Sequence, residues 1–132
     1  MEIYRKEKFV TVRYDSQNHV IIYGWLNFTI PLEELQELFK KALEVSKEKQ
    51  CFRYIAETSK VSTALRKDAV EWWGNVWVPL LEKNGLKCIV TVLPSSAIAN
   101  MSTKSWQKEV IGGITMQNAK SLDEAIKIAR DY

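Results

Sequence analysis

Short apolar runs separated by turn-forming residues predict the strands. Residues 8–14 (KFVTVRY) and 19–25 (HVIIYGW) flank the turn-forming segment DSQN and predict an antiparallel hairpin. Residues 51–57 (CFRYIAE) predict a third strand. Residues 87–94 (KCIVTVLP) form the most apolar run, which is typical of a strand that a parallel sheet buries on both faces. The segment 114–117 (ITMQ) predicts a short last strand.

Segments with helical spacing of apolar side chains alternate with these runs. Pro31 begins an amphipathic helix over residues 31–48, at a position where a missing N–H is tolerated. A second helix is predicted over residues 63–83, because Asn84 and Gly85 are typical of a helix end.

Two more helices are predicted after the most apolar strand. Ser95 and Ser96 can cap a third helix, which the glycine pair at 112–113 ends, and the segment 121–124 (SLDE) is a capping box for the last helix. The resulting order, β-β-α-β-α-β-α-β-α, predicts a single α/β domain over residues 1–132. We expect a mainly parallel sheet of four to five strands with an antiparallel hairpin at the N-terminus.

Three tryptophans within residues 72–79 (WWGNVWVP) are the most unusual feature of the second helix. On an α-helix, at about 100° per residue, six side chains share the buried face: Ala69, Val70, Trp73, Val76, Trp77 and Leu80. Val78 then points outward, and Trp72 lies at the edge of the buried face. Trp72 is therefore the one tryptophan of the three that we consider for a binding surface. Pro79 is expected to bend the last turns, because it cannot donate a hydrogen bond.

The composition is that of a globular protein. Hydrophobic residues make up 46% of the 132 residues, and the net charge of +3 is spread over interleaved acidic and basic side chains, so we expect no nucleic-acid partner. No apolar run approaches the ~20 residues of a membrane span, and the first residues, MEIYRKEK, lack the apolar stretch of a secretory signal. Cys51 and Cys88 form no metal or redox motif, which indicates reduced thiols in a cytoplasmic protein.

Residues that could converge on a catalytic or metal site are scarce. His19 is the only histidine and follows the hairpin turn, so we interpret it as a solvated turn residue. No GxSxG, GxGxxG or Walker-type loop occurs in the sequence. Cys51 and Cys88 begin predicted strands and are interpreted as small core side chains. The sequence therefore predicts no enzyme, no catalytic residue, no metal and no cofactor.

Two segments of the C-terminal half carry a family resemblance. Residues 77–94 (WVPLLEKNGLKCIVTVLP) contain a Trp-x-Pro helix end and a Gly-Leu before a valine-rich strand that ends in Leu-Pro, and residues 121–130 (SLDEAIKIAR) form the terminal helix. In these features the chain resembles the STAS-like, SpoIIAA-like domains, as a small stand-alone bacterial member. The resemblance implies a domain without enzymatic activity that binds a protein partner or a small ligand.

In the anti-anti-sigma factors of that family, a phosphorylatable serine follows an aspartate at the start of the second helix. The corresponding segment here, 59–65 (SKVSTAL), places Ser62 or Thr63 at that position. No aspartate precedes either residue and no glycine follows closely, so a phosphorylation switch is disfavoured. We interpret Ser62 as a helix cap.

The carboxyl ends of the predicted parallel strands supply a candidate site. Ligands of open α/β sheets bind outside those ends, and the helix starts predicted after residues 62 and 95 would add backbone N–H groups for an anion. To these strand ends we add Trp72, from the edge of the apolar face of the second helix. The candidate rim for a ligand or partner then consists of Trp25, Asn27, Glu57, Ser59, Ser62, Thr63, Trp72, Ser95, Ser96, Gln117 and Asn118. The same residue types are also typical of ordinary caps and loops.

Two functions fit these features. The first is a non-catalytic protein-interaction or regulatory module of STAS-like type, with a protein partner and with a homodimer left open. The second is a small-molecule or lipid carrier for an apolar or anionic ligand. We rank the carrier lower, because a chain of this length would have to leave part of a small core unfilled to enclose a ligand.

Overall fold

A six-stranded sheet runs through the computed structural model, which describes residues 1–96 and 116–132. The strands lie side by side in chain order. They are β1 (Glu2–Lys6), β2 (Val10–Asp15), β3 (Val20–Trp25), β4 (Arg53–Glu57), β5 (Cys88–Val92) and β6 (Met116–Ala119). The first three are antiparallel and β3 to β6 are parallel, so the expected α/β class, with a mainly parallel sheet and an antiparallel start, is confirmed.

The sheet has more strands than the four to five that the sequence predicts, because β1 extends the hairpin to a three-stranded meander. In β1, Ile3 and Tyr4 are half-buried and pack against the core, whereas Glu2 and Arg5 are exposed. A short, charged edge strand of this kind has little apolar periodicity, and charged side chains protect it from pairing with another chain. The pattern of the sequence therefore gave no signal for β1.

The helices differ from the prediction mainly in the second half of the chain. They are α1 (Leu32–Lys49), α2 (Lys67–Trp72), a π-helical turn (Trp73–Trp77), α3 (Val78–Lys83) and α4 (Leu122–Arg130). α1 agrees with the predicted helix to within one residue at each end, and Gly85, with φ of 94°, follows the end of α3 as predicted. The third helix that we predicted after Ser96 lies outside the described residues.

The two faces of the sheet carry separate core clusters. α1, α2 and α3 pack on one face with side chains that alternate along β3 and β4, including Ile21, Tyr23 and Tyr54. α4 covers the opposite face, where Ala125 and Ala129 meet β5. All five residues of β5 are buried, which confirms the prediction of a strand covered on both faces.

The π-helical turn overturns part of the predicted register. The Val78 N–H donates to the Trp73 carbonyl, five residues earlier, instead of four as in an α-helix. Trp73 and Trp77 are buried as predicted, with 9% and 3% of their surface exposed. Val76 and Leu80 were expected in the core but are 49% and 36% exposed, and Val78, expected to point outward, is 2% exposed.

The extra residue in the wide turn explains these errors. It rotates every following side chain by about one residue, or about 100°, so that Val78 and Leu81 take the inward positions expected for residues one place earlier. Pro79 gives a physical reason for the turn. In an uninterrupted α-helix its ring would clash with the carbonyl of Asn75, and the wider turn relieves that clash.

His19 is not the solvated turn residue that we expected. It has a turn conformation, with φ of 53°, but its ring is hydrogen-bonded on both sides. Nδ1 lies 2.9 Å from the Tyr14 hydroxyl, and Nε2 lies 3.0 Å from the Gln50 carbonyl. Because a carbonyl can only accept, Nε2 of the neutral ring donates and Nδ1 accepts from Tyr14. The histidine therefore ties the hairpin to the end of α1.

Ser121 caps the last helix as predicted, but the reciprocal half of the capping box is shifted by one residue. The Ser121 hydroxyl accepts a hydrogen bond from the Glu124 N–H at 3.2 Å. The Glu124 carboxylate in turn accepts from the Lys120 N–H at 3.2 Å. The first contact satisfies a backbone donor that the helix start leaves without a partner, and the second fixes the residue before the cap.

Candidate functional site

Two members of the predicted rim, Asn27 and Thr63, meet above the sheet. The Thr63 hydroxyl donates to Asn27 Oδ1 at 3.0 Å and accepts from the Phe28 N–H at 2.8 Å. Asn27 Oδ1 also accepts from the Thr29 N–H and hydroxyl. These contacts connect the loop after β3 with the loop after β4, so both side chains are occupied in holding the loops together.

Two other rim residues pair with each other, and a third is core. Glu57 ends β4 as predicted, and its Oε1 accepts from the Ser59 N–H at 2.9 Å. Trp25 ends β3, but only 7% of its surface is exposed, and its ring packs edge-on against Phe28 at 5.8 Å. Trp25 therefore belongs to the core and not to an exposed rim.

The helix start predicted at Ser62 is wrong. α2 begins at Lys67 without a side-chain cap, and Ser62 is exposed in the preceding loop. The loop is held by tertiary contacts, since Val61 is 1% exposed and its N–H donates to the Thr58 carbonyl. Because no helix begins at residues 62–63, there is no helix N-terminus there to direct backbone N–H groups towards an anion, as we expected.

The remaining strand-end residues of the predicted rim lie on β6 and shortly after β5. Gln117 and Asn118 lie inside β6 and not beyond its end, because the strand runs two residues further than predicted. The Gln117 amide donates to the Tyr132 hydroxyl at 3.3 Å. Ser95 and Ser96 follow β5, but the helix that they were expected to cap lies outside the described residues.

The Trp72 side chain packs against the core on the helical side of the sheet instead of being exposed to solvent. It is half-buried, its ring stacks on Trp77 with centroids 5.8 Å apart and planes at 18°, and it lies 5.8 Å from Phe39. Its position at the edge of the apolar face is as predicted, but no contact of its own indicates a ligand.

An apolar cavity of about 60 Å³ lies between the sheet and the helices, beneath the loop after β4. It is lined by Tyr23, Trp25, Phe28, Leu35, Phe39, Tyr54, Ala56, Thr58, Leu65, Ala69, Val70, Trp73, Trp77, Leu81 and Ile89. Among these, Leu65 and Val70 are half-buried and the others are buried, so the mouth of the cavity lies at these two residues. Since a cavity needs roughly 10–15 Å³ of such space to hold one water, this cavity corresponds to about four waters.

Aromatic rings form much of the wall. The Phe39 ring lies 4.8 Å from Trp77 and 5.3 Å from Tyr23, and Tyr23 lies 6.0 Å from Tyr54, between ring centroids. None of the lining side chains that the structure describes is charged. The cavity therefore suits a planar, uncharged group.

Three of the lining residues carry hydroxyl groups, and these differ in their hydrogen bonds. The Tyr54 hydroxyl lies 2.6 Å from Ser46 Oγ, and the Thr58 hydroxyl donates to the Val92 carbonyl at 2.5 Å. The Tyr23 hydroxyl is buried without a hydrogen-bond partner among residues 1–96 and 116–132. Burial also raises the pKa of Tyr23 well above its ordinary value, so the hydroxyl keeps its proton near neutral pH.

Among the residues that line the cavity, Trp25 was the one included in the predicted rim, whereas Ala69, Val70, Trp73 and Trp77 were predicted as core. A usable signal was present on β3, where Tyr23 and Trp25 are two positions apart and therefore share a face. Tyr54 lies on the same face of the neighbouring strand, because the register pairs it with Ile21. Three large rings on one sheet face indicate an aromatic wall, but the space beside it depends on how the helices pack.

The two thiols have core environments, as expected. Cys51 and Cys88 are buried in the clusters on opposite faces of the sheet. Burial raises the pKa of Cys51 and raises that of Cys88 to about 11. Both are therefore poor nucleophiles at neutral pH.

In the described part of the chain, no three His, Cys, Asp or Glu side chains are grouped so that they could hold a metal ion. None of the helices there is long and apolar enough to cross a membrane. Comparison with known proteins finds no matching family model, no matching curated protein and no matching solved structure. The resemblance to STAS-like domains therefore stays a prediction.

Proposed function

We propose that the protein is a non-catalytic binding protein for a small, largely apolar ligand, which occupies the aromatic cavity beneath the loop after β4. One observation carries the proposal: a space remains beside an aromatic wall in which the Tyr23 hydroxyl is buried and has no hydrogen-bond partner among residues 1–96 and 116–132. Protein interiors are close-packed, and voids larger than a water are few. An apolar pocket with a polar group in its wall is the best candidate for a ligand site.

Entry of a ring requires the mouth of the cavity to widen. A dry cavity of about 150 Å³ is known to bind benzene, whereas this one holds about 60 Å³. Leu65, at the mouth, belongs to a loop without regular secondary structure that ends at Arg66. This segment can move outward without breaking a helix. The opposite wall includes the π-helical turn, a type of turn that is frequent at functional sites.

The proposal is tested by titrating the protein with toluene and recording methyl NMR spectra. We expect saturable shifts for the methyl groups of Leu65, Val70 and Ile89, which line the cavity. The methyl groups of Val90 and Val92, in the cluster on the opposite face, are internal controls and should stay unchanged. If no lining methyl shows a saturable shift, the cavity is not a binding site.

A matched pair of variants separates cavity binding from surface binding. Ala69 is 2% exposed and lines the cavity, so Ala69→Leu fills the space and should abolish the toluene-dependent shifts. Ala64 is exposed in the loop after β4, and Ala64→Leu adds the same atoms outside the cavity. Toluene binding that survives in Ala69→Leu would place the ligand elsewhere.

A protein-interaction role is the second candidate. It is favoured by exposed apolar side chains on the tryptophan helix, by which we mean α2, the π-helical turn and α3 together (residues 67–83). Val76 and Leu80 are 49% and 36% exposed, four residues apart, with the exposed Pro79 between them. A regulatory module of STAS-like type would use such a surface for a partner or for a second copy. If the surface joins two copies, Val76→Glu should convert dimer to monomer in sedimentation velocity. A wild-type protein that is monomeric at all concentrations would remove the support for self-association.

A further inference from the structure

We infer that the ligand is an uncharged single aromatic ring with one hydrogen-bonding group, and that this group pairs with the hydroxyl of Tyr23. The inference rests on the proposed function and specifies the class of ligand. It follows from three properties of the cavity: its one unsatisfied hydroxyl among the described residues, its lack of charge there, and its size.

The unsatisfied hydroxyl requires a partner from outside the described residues. Tyr23 is 5% exposed, and a buried hydroxyl without a hydrogen bond destabilises the folded chain. The hydroxyls of Tyr54 and Thr58, in the same wall, are already paired with Ser46 and Val92. A ligand atom that pairs with Tyr23 therefore gains a hydrogen bond that the described residues do not make.

The surroundings of Tyr23 select against a charged ligand. The described lining includes no lysine, arginine or histidine that could neutralise a carboxylate or a phosphate. Moving an unpaired charge into such a site is strongly unfavourable. The anionic ligand that we considered from the sequence is therefore not expected in this cavity.

Size and wall shape limit the ligand to one ring. At about 60 Å³ the cavity must already widen to accept one ring, and a fused ring system or an acyl chain would require a much larger displacement of its mouth. The rings of Phe39 and Trp77, 4.8 Å apart, and of Tyr23 favour a flat apolar group between sheet and helix. A phenol-like molecule has the required shape, the neutrality and a single polar group.

The test compares phenol with toluene, which have nearly the same shape and differ in the hydroxyl. Dissociation constants are measured from the shifts of the lining methyl groups, for the wild-type protein and for Tyr23→Phe. We expect Tyr23→Phe to weaken phenol binding about 10-fold, because the phenol hydroxyl is then buried unpaired, and to change toluene binding less than about twofold. Benzoate, a charged ring, should show no saturable binding to either protein.

Tyr54→Phe is the matched control, since it removes a hydroxyl from the same wall that is already paired with Ser46. This variant should keep the wild-type ratio of phenol to toluene affinity. A second readout needs no variant: with [13Cζ]tyrosine in the wild-type protein, the Tyr23 signal should move with phenol more than with toluene.

The outcomes distinguish the inference from the proposed function. If both rings bind and Tyr23→Phe changes their affinities equally, or if the Tyr23 signal responds equally to both, the inference is wrong and the proposed function stands. If benzoate binds as tightly as phenol, the restriction to uncharged ligands is wrong. If neither ring binds the wild-type protein, the inference and the proposed function both fail.

Discussion

The π-helical turn predicts opposite effects for two chemically identical substitutions, Val76→Ala and Val78→Ala. Val78 is 2% exposed, so its truncation loses two buried methyl groups at ~0.8 kcal/mol each and leaves a small void at ~24 cal/mol per Å³. The expected loss in free energy of unfolding is about 2–3 kcal/mol. Val76 is 49% exposed, and its smaller burial loss is offset by about 0.5 kcal/mol from the better helix propensity of alanine. Its net effect should be within about 0.5 kcal/mol of zero.

Urea unfolding followed by tryptophan fluorescence measures both effects. With a slope of about 1–3 kcal/mol per M, Val78→Ala should lower the midpoint by roughly 1–2 M and Val76→Ala should leave it nearly unchanged. The slope itself should be the same for both variants and for the wild type. An uninterrupted α-helix predicts the reverse order. A loss for Val76→Ala equal to or greater than that for Val78→Ala would therefore refute the wide turn.

Three further predictions concern burial, capping and the loop contacts. Burial holds the pKa of Cys88 at about 11 in the folded chain, so the unfolded chain loses this proton at lower pH. The contribution of the buried thiol to stability is therefore complete below pH ~8 and is lost as the pH rises towards 11. In urea unfolding, Cys88→Ala should reduce this loss of stability at high pH. Ser121→Ala removes the cap of α4 and should cost about 1 kcal/mol, and amide exchange should accelerate first in α4. Thr63→Val deprives the Phe28 N–H of its acceptor and should cost about 1–3 kcal/mol in thermal or urea unfolding; an unchanged stability would show that the two loops are not held by this contact.

The sheet could be predicted largely from the sequence because buried strands need apolar side chains. The hairpin, β4 and β5 were recognisable from runs of two or more valines, isoleucines and aromatic residues, and α1 from its apolar stripe. β1 could not be recognised in the same way. It lies at the edge of the sheet, where it pairs with β2 through its backbone and has no fully buried side chain.

The tryptophan helix shows where a periodic pattern fails. The sequence correctly predicts that Trp73 and Trp77 are buried: Trp73 begins the wide turn, and Trp77 stays inward because it moves into the place expected for Val76. Val76, Val78 and Leu80 were assigned to the wrong face, since periodicity assumes a constant rotation per residue. The proline at position 79 was noticed as a source of bending, but an α-helix can respond to proline by a kink or by an extra residue, and the sequence alone does not distinguish the two.

The candidate site was the least predictable part. Strand ends are a good prior for ligand sites in α/β proteins, yet four of the eleven rim residues here pair within the rim: the Asn27 side chain with that of Thr63, and the Glu57 carboxylate with the Ser59 N–H. The cavity depends on the space left between packed rings, and residues such as Tyr23 have the same sequence pattern whether or not a space adjoins them. Only the packing of α1 and the tryptophan helix on the sheet reveals it.

The most direct test of the binding role is the contact between a bound ring and the cavity wall. Isotope-filtered NOE spectra of the 13C-labelled wild-type protein with unlabelled toluene report which methyl groups lie near the ring protons. We predict NOEs to Leu65, Val70 and Ile89, which line the cavity. NOEs confined to the exposed Val76 and Leu80, or no NOEs at saturating toluene, would contradict the account.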